Sequence, residues 1–234
     1  MPILKLIDVN YKYEGSSKFV LKDMSAEFET GKMYVIIGKT RAGKSTLLST
    51  ISGLDDCTSG SIIYNGEDLK DINKNIYRSK YVGAIFKGYN LLNDATVLDN
   101  IIMTMLVGGN REKNKDEIVY KTLQKVGINK EKANCKVKDL SNYDKKRVCI
   151  ARALSNNPSL IICDDIIEND DIIESTDDKS KKSLVDILYK LASKDNKCVI
   201  IATTLDRIAL CSDELWGISN GKLMFIKSRD NRID

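Results

Sequence analysis

Residues 38–46 carry the spacing best suited to chemistry: Gly38-Lys39-Thr40-Arg41-Ala42-Gly43-Lys44-Ser45-Thr46. A glycine, four further residues and then Gly-Lys-Ser make a tight loop whose backbone N–H groups turn inward. The helix that follows adds the positive end of its dipole, so such a loop binds a polyphosphate. Lys44 is placed to reach the outer phosphates, and the Ser45 hydroxyl to ligate Mg²⁺. The flanks agree with this reading. Met33–Gly38 reads as an apolar strand, and the run after Gly43 as a helix ending at Gly53. Leu160-Ile161-Ile162-Cys163-Asp164 is a second apolar strand, and it ends in an acid. Many buried strands end this way without any ligand, but beside a phosphate loop Asp164 can hold Mg²⁺ or one of its waters.

The elements that must position these groups alternate along the chain. Early strands are expected over Ile3–Asn10 and Phe19–Phe28, then over Ser61–Tyr64 before an Asn65-Gly66 turn, and over Tyr81–Phe86. Helical patterns follow at about 96–107, 115–126 and 144–156, so residues 88–157 read as a helical insertion. Strands Ser159–Cys163, Cys198–Thr203, Glu214–Ser219 and Lys222–Lys227 come next, with a helix near 179–193. The alternation predicts a single α/β domain over 1–234 with a mainly parallel sheet.

Composition excludes several classes. The chain contains no histidine, which removes the commonest metal ligand and general base and with it zinc sites and Ser-His triads. Thirty-seven Lys and Arg against 33 Asp and Glu leave +4 over 234 residues, too little to imply nucleic-acid binding. No apolar run approaches the ~20 residues that cross a bilayer, and MPILKLIDVN lacks the order of a signal peptide. A soluble intracellular chain is expected. The six cysteines form no CxxC pair, and Cys149, Cys163 and Cys198 sit in apolar runs, so they read as structural thiols.

No Asn-Lys-x-Asp guanine motif occurs. Ordered blocks instead run the length of the chain. Thr30-Gly31-Lys32 precedes the loop; Leu47-Leu48, Ile51-Ser52-Gly53-Leu54, Gly60-Ser61-Ile62 and Asn65-Gly66 follow it. Then come Val82-Gly83-Ala84-Ile85-Phe86, Tyr89-Asn90-Leu91-Leu92, Thr96-Val97, the run Arg147 to Leu154, and Pro158. In these blocks the chain resembles an ABC transporter ATP-binding subunit. Tyr77-Arg78-Ser79-Lys80 and Tyr89-Asn90-Leu91-Leu92 look most like the macrolide-export, lipoprotein-release and antimicrobial-peptide-resistance branch. The resemblance implies a P-loop NTPase core, an N-terminal antiparallel β subdomain and an inserted helical subdomain. It also implies ATP and Mg²⁺ as ligands, a homo- or heterodimer of ATP-binding subunits, and a membrane-spanning permease. The chain would then lie in the cytoplasm, peripheral on the inner face of the membrane. In that family ATP is held between the P-loop of one subunit and the signature loop of the other. Tyr13 matches the aromatic residue that stacks on adenine, with Tyr11 the near alternative and packing on the strand open for either.

The pattern breaks in particular places. The signature Leu-Ser-Gly-Gly-Gln reads Leu140-Ser141-Asn142-Tyr143-Asp144. Ser141 survives, whereas the glycines that admit the γ-phosphate are gone and Asp144 is expected to add negative charge near it. The metal-reaching glutamine is Lys87, which cannot ligate a cation. The water-polarising glutamate is Asp165, one methylene shorter, and the histidine after the Cys198–Thr203 strand is Thr204. The Leu-Asp step becomes Asp170-Asp171 within a run of eight acids from Asp164 to Asp178, read as a solvated loop with metal binding as the alternative. The defects fall on both halves of a composite site, so each site of any dimer includes a damaged element. ATP binding with impaired hydrolysis is expected. The alternatives are an active transport ATPase with Asp165 as catalytic base, and a soluble regulatory protein of the same type.

Overall fold

The computed structural model describes residues 1–167 and 183–228. In chain order the first elements are β1 (Leu4–Tyr11), β2 (Leu21–Phe28), β3 (Met33–Ile37), α1 (Lys44–Ile51), β4 (Ser59–Tyr64), β5 (Glu67–Asp68) and α2 (Lys74–Ile76). A π-helical turn, Tyr77–Tyr81, leads into β6 (Val82–Ile85), then α3 (Val97–Val107), α4 (Lys115–Lys125) and α5 (Asn142–Leu154). After these come β7 (Leu160–Asp164), α6 (Leu184–Ser193), β8 (Cys198–Thr203), β9 (Glu214–Ser219) and β10 (Lys222–Ser228).

Successive side chains of a strand point to opposite faces, and in the central strands both faces are apolar. Met33, Val35, Ile161, Cys163, Val199 and Ile201 join one hydrophobic cluster with α3, α4, α5 and α6. Tyr34, Ile36, Leu160, Ile162, Cys198 and Ile200 join another with α1 and the buried face of β1, β2 and β4. The six-stranded sheet has the order β10-β9-β3-β8-β7-β6. Its pairs are parallel, with Val35 opposite Ile201 and Ile162 opposite Ile200, except β9–β10, which turns back at Asn220-Gly221. The other sheet, β2-β1-β4-β5, is antiparallel throughout. The fold is therefore the expected α/β arrangement, a mostly parallel sheet beside an antiparallel β layer.

Side-chain caps fix the starts of three helices packed on the first cluster, α3, α5 and α6, whereas α4 has none. Thr96 accepts the Asp99 N–H at 3.0 Å while the Asp99 carboxylate accepts the Thr96 N–H, a reciprocal cap on α3. Ser183 accepts the Asp186 N–H and starts α6. Some boundaries differ from those the sequence pattern predicts. The strand expected from Phe19 begins at Leu21, and the helix expected from Asp144 begins at Asn142 because Ser141 caps it. The first residues of the helix expected over 179–193 lie outside the described residues, as does most of the acidic run, Asp170 and Asp171 included. No sequence pattern announces β5, α2 or the π-helical turn. Burial raises the thiols of Cys163 and Cys198 above the ordinary cysteine range, and pushes Cys149 up to about 12.

Candidate functional site

The loop between β3 and α1 is shaped by its glycines. A Cβ on Gly38 would stand 2.5 Å from the Ile218 carbonyl, so only glycine lets the loop pass against β9. Gly43 begins α1 at φ +108, a left-handed conformation that favours glycine, and no side chain caps the helix. The first-turn N–H groups are thus left for a ligand. Lys44 is 8% exposed, and its ammonium donates to the Gly38 carbonyl at 2.7 Å and the Lys39 carbonyl at 3.1 Å, folded back across the loop mouth. Burial lowers its pKa, and the charges of Asp165 and Asp164 oppose that shift. Lys39, Thr40 and Arg41 are exposed at the tip, and Ala42 is half-buried. Arg41 has φ +67, which costs a non-glycine residue on the order of 1 kcal/mol.

The β7–β8 pairing brings the acid to this loop. Asp164 is buried at the end of β7, opposite Ala202. Burial raises its pKa; a hydrogen bond with Ser45 lowers it, Asp165 raises it, and Lys44 and Lys87 lower it, leaving it above the usual carboxylate value. Ser45 and Asp164 thus lie near enough to influence one another, one hydroxyl and one carboxylate. Mg²⁺ is bound through one or two carboxylates together with phosphate oxygens, so these two donors suit it. Lys87, at the neighbouring position, does not. Among the described residues no group of three or more His, Cys, Asp or Glu could hold a metal by itself.

Asp165 follows Asp164 at φ +50, its N–H donating to the Ala202 carbonyl at 2.9 Å. Its carboxylate faces the Lys87 ammonium, 3.4 Å away. Thr204 lies just beyond β8 and is exposed. The two tyrosines separate clearly. Tyr11 is buried in β1, whereas Tyr13 is half exposed, edge-on to Tyr11 at 5.2 Å, with its hydroxyl 2.8 Å from that of Thr46. Tyr13 is thus the ring open to a ligand beside α1.

Among the described residues Ser141 shares no hydrogen bond with these groups; its hydroxyl accepts the Asp144 N–H at 3.1 Å and caps α5. The expectation for Asp144 is corrected here. Its side chain is 8% exposed and paired with Lys132 at 2.6 Å and with Arg147, so its charge is neutralised inside the fold rather than presented to a phosphate. Burial pushes its pKa up, but the hydrogen bonds from Lys132 and Arg147 outweigh that, and the carboxyl stays below the usual value. Tyr143 turns back onto the Arg147 guanidinium at 4.8 Å. Nothing in the sequence around Lys132 signals its pairing with Asp144. The same holds for Arg152, which donates to the carbonyls of Tyr89 and Asn90, two residues with left-handed backbone in the loop after Lys87.

The family described as ABC transporter matches residues 21–168, more than half of the chain. The chain belongs to the ABC transporter ATP-binding subunits. An uncharacterized ABC transporter ATP-binding protein, YclH of Bacillus subtilis (strain 168), is 37% identical over 94% of this chain and 95% of its own length. The lipoprotein-releasing system ATP-binding protein LolD of Wigglesworthia glossinidia brevipalpis is 31% identical, covering 95% of this chain and 96% of LolD. Among solved structures, the dimeric cassette MJ0796 bound to ADP and Pi superposes with a TM-score of 0.82 at 26% identity, covering 97% of this chain and 99% of that one. In this chain Asp164 and Asp165 at the end of β7 pair with or face Lys44 and Lys87, while the start of α5 carries an internal charge cluster of Asp144, Lys132 and Arg147.

Proposed function

We propose that this ABC subunit binds ATP at the Gly38–Thr46 loop, pairs with a second ATP-binding subunit, and drives or regulates a membrane-spanning permease by dimer closure. Tyr13 is assigned to the adenine, Lys44 and the loop amides to the phosphates, Ser45 and Asp164 to Mg²⁺, and Ser141 to the partner's nucleotide. When bound, Mg²⁺ supplies charge neutralisation between the phosphates. Hydrolysis is slow or absent. The observation that carries this last point is the Lys87–Asp165 ion pair, which occupies the carboxylate that would have to polarise water.

The partner reading has its own support. A groove of about 680 Å³ between β6, α3 and the end of α5 is lined by Arg78, Ser79, Val107, Gly108, Ser155 and Asn156. Beside it Met103, Leu106 and Val107 of α3 are 55%, 58% and 77% exposed, an apolar patch that suits a cytoplasmic segment of the permease. Among the described residues no helix is long and apolar enough to cross a membrane, so attachment at the cytoplasmic face falls to that partner. The test combines calorimetry with a phosphate-release assay. Nucleotide binding that Lys44→Ala abolishes, with negligible release, is expected. Release at a rate ordinary for such subunits, lost in Asp165→Asn, would overturn the impaired reading in favour of an active ATPase with Asp165 as base.

A further inference from the structure

The groove between β6, α3 and the end of α5 is charged as well as apolar. Arg78, Lys80 and Arg152 are among the residues that line it, and no Asp or Glu is. Arg78 donates to the Gly53 carbonyl and to the Asn75 side-chain oxygen, both at 2.6 Å. Arg152 donates to the carbonyls of Asn90 and Tyr89 at 2.5 and 2.7 Å. These acceptors are uncharged, so they orient the two guanidinium groups without cancelling their charge. Lys80 is exposed near the end of the π-helical turn, and among the described residues it has no hydrogen-bond or ion-pair partner. No carboxylate of the described residues stands within ion-pair distance of any of the three. The last residues of α3 and α5 reach the same groove, and a helix C-terminus offers roughly half a negative charge. Two such ends offset about one cation of the three. Positive charge is therefore left over, in a cavity whose wall also includes Ile76 and Val107, 45% and 77% exposed.

An uncharged occupant would strip water from these cations and return nothing, and a basic one would be repelled. A carboxylate forms charge-assisted hydrogen bonds with all three, and bidentate ones with a guanidinium. A concave groove also admits a single chain segment rather than a flat bilayer surface. We propose that the permease segment seated here is amphipathic and acidic: apolar toward Ile76 and Val107, with carboxylates facing Arg78, Lys80 and Arg152, one of them paired with Lys80. Charge complementarity then sets which segment the subunit accepts and in which orientation. The proposal rests on the permease reading above, and the experiment separates the two.

The full chain is tagged and recovered with its permease from detergent extracts, as wild type, Lys80→Arg and Lys80→Glu. Because Lys80 is exposed and unpaired, all three proteins should melt at the same temperature. Lys80→Arg is expected to keep the permease, and Lys80→Glu to reduce its recovery about tenfold. A water-soluble carbodiimide, which joins an ammonium to a carboxylate in contact with it, is then added to the wild-type complex. It is expected to link Lys80 to an Asp or Glu of the permease, found by mass analysis of the peptides. Lys80→Arg should lose that link while keeping the permease, since a guanidinium does not couple. Recovery unchanged or increased in Lys80→Glu, or no link from Lys80 to the permease, overturns the acidic-segment proposal and leaves the permease reading standing. Absence of any permease beside folded wild type overturns that reading itself.

Discussion

The loop before α1 and the start of α5 are both helix N-termini, yet they treat charge in opposite ways. At α1 no side chain caps the helix, the first-turn amides are left open, and a buried lysine folds over the mouth. At α5 the Ser141 hydroxyl takes up an amide, and Asp144 is locked between Lys132 and Arg147 inside the protein. The first end is built to receive an anion from outside, and the second already contains one. A helix dipole alone therefore does not make a binding site; what decides is whether the chain's own side chains have satisfied it first.

Breaking the two ends should have distinct effects. Lys44→Ala is expected to weaken ATP binding at least about 100-fold in calorimetry, since it removes the ammonium here assigned to the phosphates. Asp144→Ala is expected to cost stability instead, about 3 kcal/mol in denaturant melts, because it leaves the Arg147 guanidinium buried without its carboxylate. ATP binding at the α1 end should survive that change. A loss of binding without a loss of stability would mean that the two ends are not independent.

The Asp144 cluster also has a pH signature. Its carboxyl lies below the ordinary value in the folded chain, so its stabilisation is complete above the unfolded value of about 3.9 and is lost as the pH falls through the folded one. The gap in melting temperature between wild type and Asp144→Asn should accordingly narrow on going from about pH 6 to about pH 3. Smaller effects follow at the ion pair. Asp165→Glu alone should leave phosphate release unchanged, because Lys87 still engages the carboxylate. Combined with Lys87→Gln it should raise release about tenfold, a fraction of what a 1 Å displacement can cost. Smallest of all, Val107→Asp should alter stability by less than about 0.5 kcal/mol while reducing recovery of the ABC subunit with its permease from detergent extracts.

Much of this contrast is legible in the sequence, though unevenly. The α1 end depends on backbone conformation, and two glycines and a lysine at fixed spacing specify that conformation locally. The central strands are equally plain, because burial on both faces leaves continuous apolar runs such as Cys198 to Ala202. Their order in the sheet is not plain, since β3 lies between β8 and β9 through contacts far apart in the chain. Position 144 shows where reading by position fails. Its acid reads as a charge facing the nucleotide, but the compensating Lys132 lies twelve residues earlier, beyond any local pattern. The choice between Tyr11 and Tyr13 likewise needs the end of β1, which buries one ring and frees the other.

The distribution of sulfur in the core supplies a reporter that requires no added label. Cys163 belongs to the layer beneath the helices, Cys198 to the layer beneath α1 and the antiparallel sheet, and Cys135 lies at the surface. A thiol-reactive probe would mark Cys135 in the native protein and reach the other two only as each layer opens. Mass analysis of the modified sites would then tell which side of the central sheet comes apart first when the chain is heated.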